Sequence, residues 1–216
     1  MKQQENVDWT DYVIGLSDVP PLTSHWEKDM VSEIKDKISG HQVKTVLEVG
    51  CSNGRWLRWF QQEYGCEVFG LDNNTAGFGK RDVNFITGDA FKLPCRDDSF
   101  DAVFSKGFME HFKKHERFLL LKEQARVLRE NGFLICEIPP FDISLEILYI
   151  KFRHDVRQEL KHFIITEKEL KRRFEELNLG IVSSKFLGWF FERFSIPKLF
   201  SNRFTSSESL LIGIKR

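Results

Sequence analysis

Apolar residues along this chain gather in short runs, and the runs end in an acid or a glycine. Residues 43–49 lead into Glu48-Val49-Gly50, residues 66–71 lead into Asp72, and residues 83–87 lead into Gly88-Asp89-Ala90. Short apolar runs bounded by turn residues predict buried strands. The same reading predicts strands at 100–105, 133–138, 181–187 and 209–215. Helical spacing fills the intervals. Ser24 and Glu27 form a capping box that opens a helix through about Ile38, and Gly40 stops it. Helices follow at 54–63 and at 114–129, the latter ended by Asn131-Gly132, and Pro139-Pro140 break the strand after it. Residues 143–162 predict an inserted helix. Thr166 and Glu169 open a last helix over 167–177, which Asn178 and Gly180 close. Strands alternating with helices predict an α/β fold, a doubly wound, seven-stranded, mostly parallel sheet. No helix of ordinary length separates the last two strands, so these pair antiparallel at one edge.

This layout makes residues 1–216 one domain. An N-terminal arm and helix occupy 1–40, a core occupies 43–138, and a helical and aromatic lid combines 140–165 with 188–204. Its composition, 41% hydrophobic and 30% charged, is that of a soluble globular protein. The formal net charge is zero, which disfavours nucleic acid as a partner. Charge is unevenly spread: residues 1–108 carry 12 basic and 17 acidic side chains, residues 109–216 carry 20 and 15. A basic second half suits an anionic substrate or surface, or reflects solvated helix faces. The polar N-terminus is not a signal peptide, and no apolar run reaches the ~18 residues of a membrane span. Cys51, Cys66, Cys95 and Cys136 lack metal-ligand spacing, so no metal site is expected. Free thiols fit a reducing, cytoplasmic setting. The aromatic, basic segment 188–204 fits a flat or lipid-like substrate, a membrane surface contacted peripherally, a dimer partner, or plain edge packing. The sequence leaves the oligomeric state open.

The chemistry concentrates at the strand ends. Glu48-Val49-Gly50-Cys51-Ser52-Asn53-Gly54 is a strand end, an acid and a glycine turn that opens a helix. Glycines there permit a sharp turn and a close approach to a ligand. Asp72 and then Asp89 close the next two strands. The order of these pieces resembles the class I S-adenosylmethionine-dependent methyltransferases, strongly over 43–138 and loosely over 165–216. That family's first motif reads acid-x-G-x-G-x-G; here Ser52 replaces the middle glycine, a substitution the turn tolerates if its φ is negative. The resemblance implies S-adenosylmethionine as methyl donor and S-adenosylhomocysteine as product. It places the turn from Gly50 through Cys51 to Gly54 under the donor's amino-acid part, with Glu48 at the ammonium. It gives Asp72 the ribose hydroxyls, with Asn73 next in line. Asp89 takes the adenine amino group, the Ala90 amide a ring nitrogen, and Phe91 flanks the ring. Residues 97–112 resemble the fourth strand and the loop facing the transferable methyl, so Ser105 joins the cofactor-facing set. Lys106 is an unusual residue for that loop. His111, in the Glu-His-Phe of the loop, is the candidate general base; its other reading is that Glu110 and His111 only order the loop. His154 and His162 on the inserted helix read as surface or packing residues, as do His25, His41 and His115.

Other readings share these residues. Gly50-Cys51-Ser52-Asn53-Gly54 fits the G-x-S-x-G elbow of α/β-hydrolases, but that elbow sits after several strands, and here it follows the first. Asp72 lies where a nicotinamide fingerprint needs an acid, but G-x-G-x-x-G is missing. The reading carried forward is methyl transfer to a small molecule by in-line displacement. Its alternative is an inactive scaffold that binds the cofactor and works through a partner.

Overall fold

The structure, a computed structural model, describes residues 22, 25–74, 83–138, 166–187 and 208–216. The elements are α1 (His25–Ile38), β1 (Thr45–Val49), α2 (Arg55–Tyr64), β2 (Glu67–Asp72), β3 (Asn84–Thr87), β4 (Phe100–Lys106), a 3-10 turn (Met109–His111), α3 (Lys114–Val127), β5 (Leu128–Ile138), α4 (Glu167–Glu176), β6 (Leu179–Leu187) and β7 (Glu208–Lys215). Ser24 of the expected first capping box, His154, His162, the expected inserted helix, and the segments 140–165 and 188–204 lie outside the described residues.

The strands form one sheet in the order β3-β2-β1-β4-β5-β7-β6. β1, β2, β3, β4 and β5 pair in parallel, and β7 runs antiparallel to both β5 and β6. The expected antiparallel edge is therefore present. Chain order reverses at β1, which lies between β2 and β4. A crevice opens outside the carboxyl ends of the strands at such a switch point.

Strand alternation builds a core on each face. Val46, Ala102, Phe104, Phe133, Ile135 and Ile212 pack against Met30, Ile34 and Ile38 of α1 and Trp56, Leu57 and Phe60 of α2. Leu47, Val103, Leu134, Cys136 and Leu211 pack against Leu120 and Leu121 of α3 and Leu170 and Phe174 of α4. Each such buried side chain contributes about 1.5–3 kcal/mol. Among the described residues, no helix is long and apolar enough to cross a membrane.

Several boundaries differ from the sequence reading. α3 stops at Val127, earlier than expected, because tertiary partners take its last carbonyls: Lys215 Nζ donates to Ala125 O (3.1 Å), Asp98 N to Arg126 O (3.1 Å) and Ser99 N to Val127 O (2.8 Å). β5 then begins at Leu128, and Asn131 (φ 60°) and Gly132 sit within it at a break in register rather than ending a helix. Asn178 (φ 58°) turns the chain out of α4, whereas Gly180 already belongs to β6. Thr166 does cap α4, accepting from Glu169 N at 3.2 Å. The Glu169 side chain points elsewhere, to Lys114 (3.7 Å) and to the buried Arg117 (3.5 Å). Arg117 Nε in turn donates to Phe112 O at 2.9 Å. This chain of contacts pins the loop after β4 to both helices of that face.

Candidate active site

The glycine turn after β1 is held from below by β2. Gly50 N and Cys51 N both donate to Leu71 O, at 2.8 and 3.1 Å. Gly50 stands at φ 78°, and a Cβ built on it would collide with the Phe108 ring. Gly54, at φ 71°, opens α2, and its missing Cβ would lie 3.0 Å from the Phe85 ring. Both glycines are thus required by conformation and by contact. The buried Cys51 side chain packs beneath Gly70 of β2, so this residue offers the turn only its backbone. Burial drives its thiol pKa far up, a structural rather than a reactive cysteine.

Ser52 departs from expectation. It stands at φ 48°, in the left-handed region, not at negative φ. Its N–H donates to Asp72 Oδ2 at 2.9 Å, and that bond holds the turn despite the strain. The left-handed conformation costs a non-glycine residue about 1–2 kcal/mol, of which glycine's extra chain entropy would return part. Ser52→Gly is accordingly expected to stabilise the fold by about 1 kcal/mol, raising Tm by about 2–4 °C. A thermal melt checks it; a lower Tm would show that the serine hydroxyl matters more than the strain.

Asp72, closing β2, accepts from two loop amides, Ser52 N through Oδ2 and Asn74 N (2.9 Å) through Oδ1. Two of its four lone-pair sites stay available to a ligand. Asn73 beside it is exposed. Asp89 is exposed and accepts from Phe91 N at 2.8 Å, so it orders its own turn as well as facing outward. Ala90 and Phe91 are half-buried against the core. Phe91 meets Phe112 edge-on (5.4 Å between centroids), and Phe112 meets Phe108 (4.9 Å). A row of rings thereby joins the Asp89 turn to the loop after β4 and to Gly50. Ser105 is placed apart from this group: it is buried, and its hydroxyl donates to Cys136 Sγ at 3.5 Å.

On the α1/α2 face, alternation brings three charged strand-end residues together. Glu48 ends β1, and Lys106 and Glu137 are direct cross-strand partners on β4 and β5. Glu48 is 4% exposed and Glu137 1% exposed. Glu137 Oε2 accepts from Gly107 N at 3.0 Å and lies 3.8 Å from Lys106 Nζ. Lys106 Nζ also sits 4.7 Å above the Trp26 ring. The unusual lysine is therefore tied into the site rather than extended into solvent. Burial raises the Glu48 pKa well above the carboxylate range, against the pull of Lys106 and with a further push from Asp72. Burial likewise lifts Glu110, reinforced by Glu137, to about 7. His111 is exposed, and its Nε2 lies 3.1 Å from Gly107 O. A carbonyl only accepts, so Nε2 carries the proton and Nδ1 the basic lone pair in the neutral ring. Desolvation holds its pKa below the ordinary imidazole value.

Three buried atoms in this region have no hydrogen-bond partner: Glu48 Oε2, Ser52 Oγ and Glu110 Oε2. Orphaned buried oxygens are costly, and these three belong to β1 and to the loops that follow β1 and β4. Sequence reasoning missed Glu137 and gave Glu110 only an ordering role. A usable signal existed for Glu137, an acid inside the apolar strand Phe133–Ile138.

The family model described as "Methyltransferase domain" matches residues 47–136, from β1 through β5. The chain carries a class I S-adenosylmethionine-dependent methyltransferase domain. Among relatives, the fatty-acid O-methyltransferase of Mycolicibacterium smegmatis is 38% identical over 101 residues, 43% of this chain and 36% of that protein. The probable tRNA methyltransferase 9B of Mus musculus is 36% identical over 93 residues, 42% of this chain and 20% of that protein. The chain spans less than half the length of the first curated relatives it matches. A SAM-dependent methyltransferase from Archaeoglobus fulgidus shares the fold, with a TM-score of 0.68 at 20% identity over 87% of this chain and 92% of that one. The matched part of the methyltransferase is the half that carries Glu48, Gly50, Asp72, Asp89 and the loop after β4.

Proposed function

We propose that this methyltransferase domain transfers the methyl group of S-adenosylmethionine to a small-molecule acceptor, with S-adenosylhomocysteine as product. The observation that carries the reading is the buried Glu48, whose Oε2 has no hydrogen-bond partner although the Leu57 backbone reaches the carboxylate, beside a left-handed Gly50 whose Cβ space is already filled. Such a cradle fits an ammonium group and a closely passing chain. When bound, the donor supplies a methyl already activated by its positive sulfur. Glu48 holds the ammonium end, and the backbone of Gly50, Cys51 and Gly54 lines the amino-acid part. Asp72 accepts from the ribose hydroxyls with its two remaining lone pairs, and Asn73 lies next to them. Asp89 accepts from the adenine amino group, the Ala90 amide meets the ring, and Phe91 flanks it. Ser105 supports the methyl-facing loop from within the sheet. Alignment and exclusion of water of this kind are worth about 7–11 kcal/mol of barrier.

His111 receives the proton of the acceptor nucleophile on Nδ1, its tautomer held by the Gly107 carbonyl. A small acceptor suits a domain of zero net charge. The fatty-acid relative is compatible with it, and the tRNA relative supplies the rival acceptor class for the test. Since the matched residues form the cofactor half, neither relative's acceptor transfers by similarity alone.

Calorimetric titration with S-adenosylmethionine, S-adenosylhomocysteine and NAD tests the cofactor. Binding of both adenosyl ligands in the micromolar range and none of NAD is expected; failure of both to bind would overturn the reading. Methyl-labelled donor offered with a fatty-acid and phenol panel, and separately with tRNA, then tests the acceptor. Label on tRNA alone would replace the small molecule by RNA. Binding without transfer to either would favour the scaffold. His111→Ala is expected to lower kcat by about 10²–10⁴-fold and leave donor affinity unchanged, the signature of a lost base.

A further inference from the structure

The end of the sheet at the switch point holds more acid than base. Glu48, Glu110 and Glu137 surround one lysine, Lys106, which acts electrostatically on both Glu48 and Glu110 and lies 3.8 Å from Glu137. Two further cations are near: Arg117, held by Glu169 and by Phe112 O, and Arg58, which acts on Glu48 together with Asp72 and donates to Asn53 O at 2.6 Å. Glu137 is satisfied by Gly107 N and Lys106. Glu48 Oε2 and Glu110 Oε2 are buried and lack any partner. Glu48 sits at the glycine turn and Glu110 on the loop whose Phe108 closes over Gly50. A carboxylate whose burial outweighs the pull of its nearby cations takes up a proton instead of staying charged.

We propose that Glu48 and Glu110 hold protons in the free protein and act as a charge-reading pair, Glu48 ionising for the ammonium that donor and product share and Glu110 ionising only for the sulfonium of the donor. This rests on the reading that the site takes S-adenosylmethionine. The donor carries one positive charge more than the product, at the sulfur. Entry of the donor supplies the cation that Glu110 lacks, and the Glu110 proton leaves to solvent. After methyl transfer the sulfur is neutral, Glu110 again lacks a counter-charge, and taking back a proton favours product departure. The groups facing Glu110 are Glu137 from β5, Lys106 from β4 and Arg117 from α3. The lifted pKa of about 7 puts the exchange in the neutral range.

The test is calorimetry of the intact protein with each ligand in buffers of different ionisation enthalpy, which counts protons released. The donor is expected to release about half a proton more than the product at pH 7, close to one more at pH 6, and about none by pH 9. Equivalently, the affinity ratio of donor to product rises about tenfold from pH 6 to pH 8. Glu110→Gln, close in shape and unable to ionise, should flatten that ratio. Equal proton release by both ligands in the wild type would overturn the inference while leaving the cofactor reading intact. So would a proton difference that survives in Glu110→Gln. Failure of both ligands to bind would instead overturn the cofactor reading itself.

Discussion

Asp72→Ala is expected to weaken S-adenosylmethionine binding by about a hundredfold or more. The carboxylate does two things at once. It ties the turn to the end of β2 through Ser52 N and Asn74 N, and in the proposed reading its remaining lone pairs take the ribose hydroxyls. Hydrogen bonds to a charged group are each worth about 1.5–3 kcal/mol, and 1.4 kcal/mol is tenfold in affinity. Removing the carboxylate frees the strained Ser52 from the bond that holds it, so the cradle loosens as well. Asp72→Asn separates the two parts. It keeps an acceptor for one amide, sets an NH₂ against the other, and should fall between wild type and alanine. Calorimetric titration of all three proteins, with far-ultraviolet circular dichroism as the folding control, decides it. Unchanged affinity in a folded Asp72→Ala protein would remove the ribose from this strand end.

Gly50→Ala is the second large effect, and it falls on stability. A left-handed φ costs alanine about 1–2 kcal/mol, and overpacking a filled site costs about 1–3 kcal/mol more. The new methyl has nowhere to go, because the Phe108 ring occupies its place. The expected loss is about 3 kcal/mol, or a Tm lower by about 6–12 °C for a chain of this size. The Phe108→Ala background tests the cause: there the collision term vanishes and only the conformational term remains, so the cost of Gly50→Ala should fall by about half. A cost that is the same in both backgrounds would place all of it in the backbone.

The fold was largely readable because its signals are local. Apolar runs of strand length, an acid at the end of each of the first three strands, and glycines and prolines at the turns act over a few residues, and they located all seven strands. The last two were also paired correctly, because the sequence between them predicts no helix of ordinary length. What failed was decided by partners distant in the chain. α3 ends early because the amides of Asp98 and Ser99, and Lys215 on the far strand β7, take its last carbonyls. Ser52 adopts positive φ because Asp72, 20 residues on, accepts its amide. No window around either residue holds that information.

The same division runs through the site. By itself the sequence determined which groups stand at the strand ends: Glu48, Gly50, Gly54, Asp72 and Asp89 follow from a strand-turn-helix grammar in which the acid or glycine must stand at the strand's carboxyl end, and their donor-side roles belong to the proposed reading. Tertiary structure alone decided which of these groups are charged. Glu48, Lys106 and Glu137 come from three different strands, and only sheet register sets them on one face at one end. Burial there withdraws water from Glu48 and Glu110 and raises both carboxyls despite the cations nearby. A residue's identity is written in the chain, but its protonation depends on what surrounds it, and those surroundings exist only once the sheet has formed.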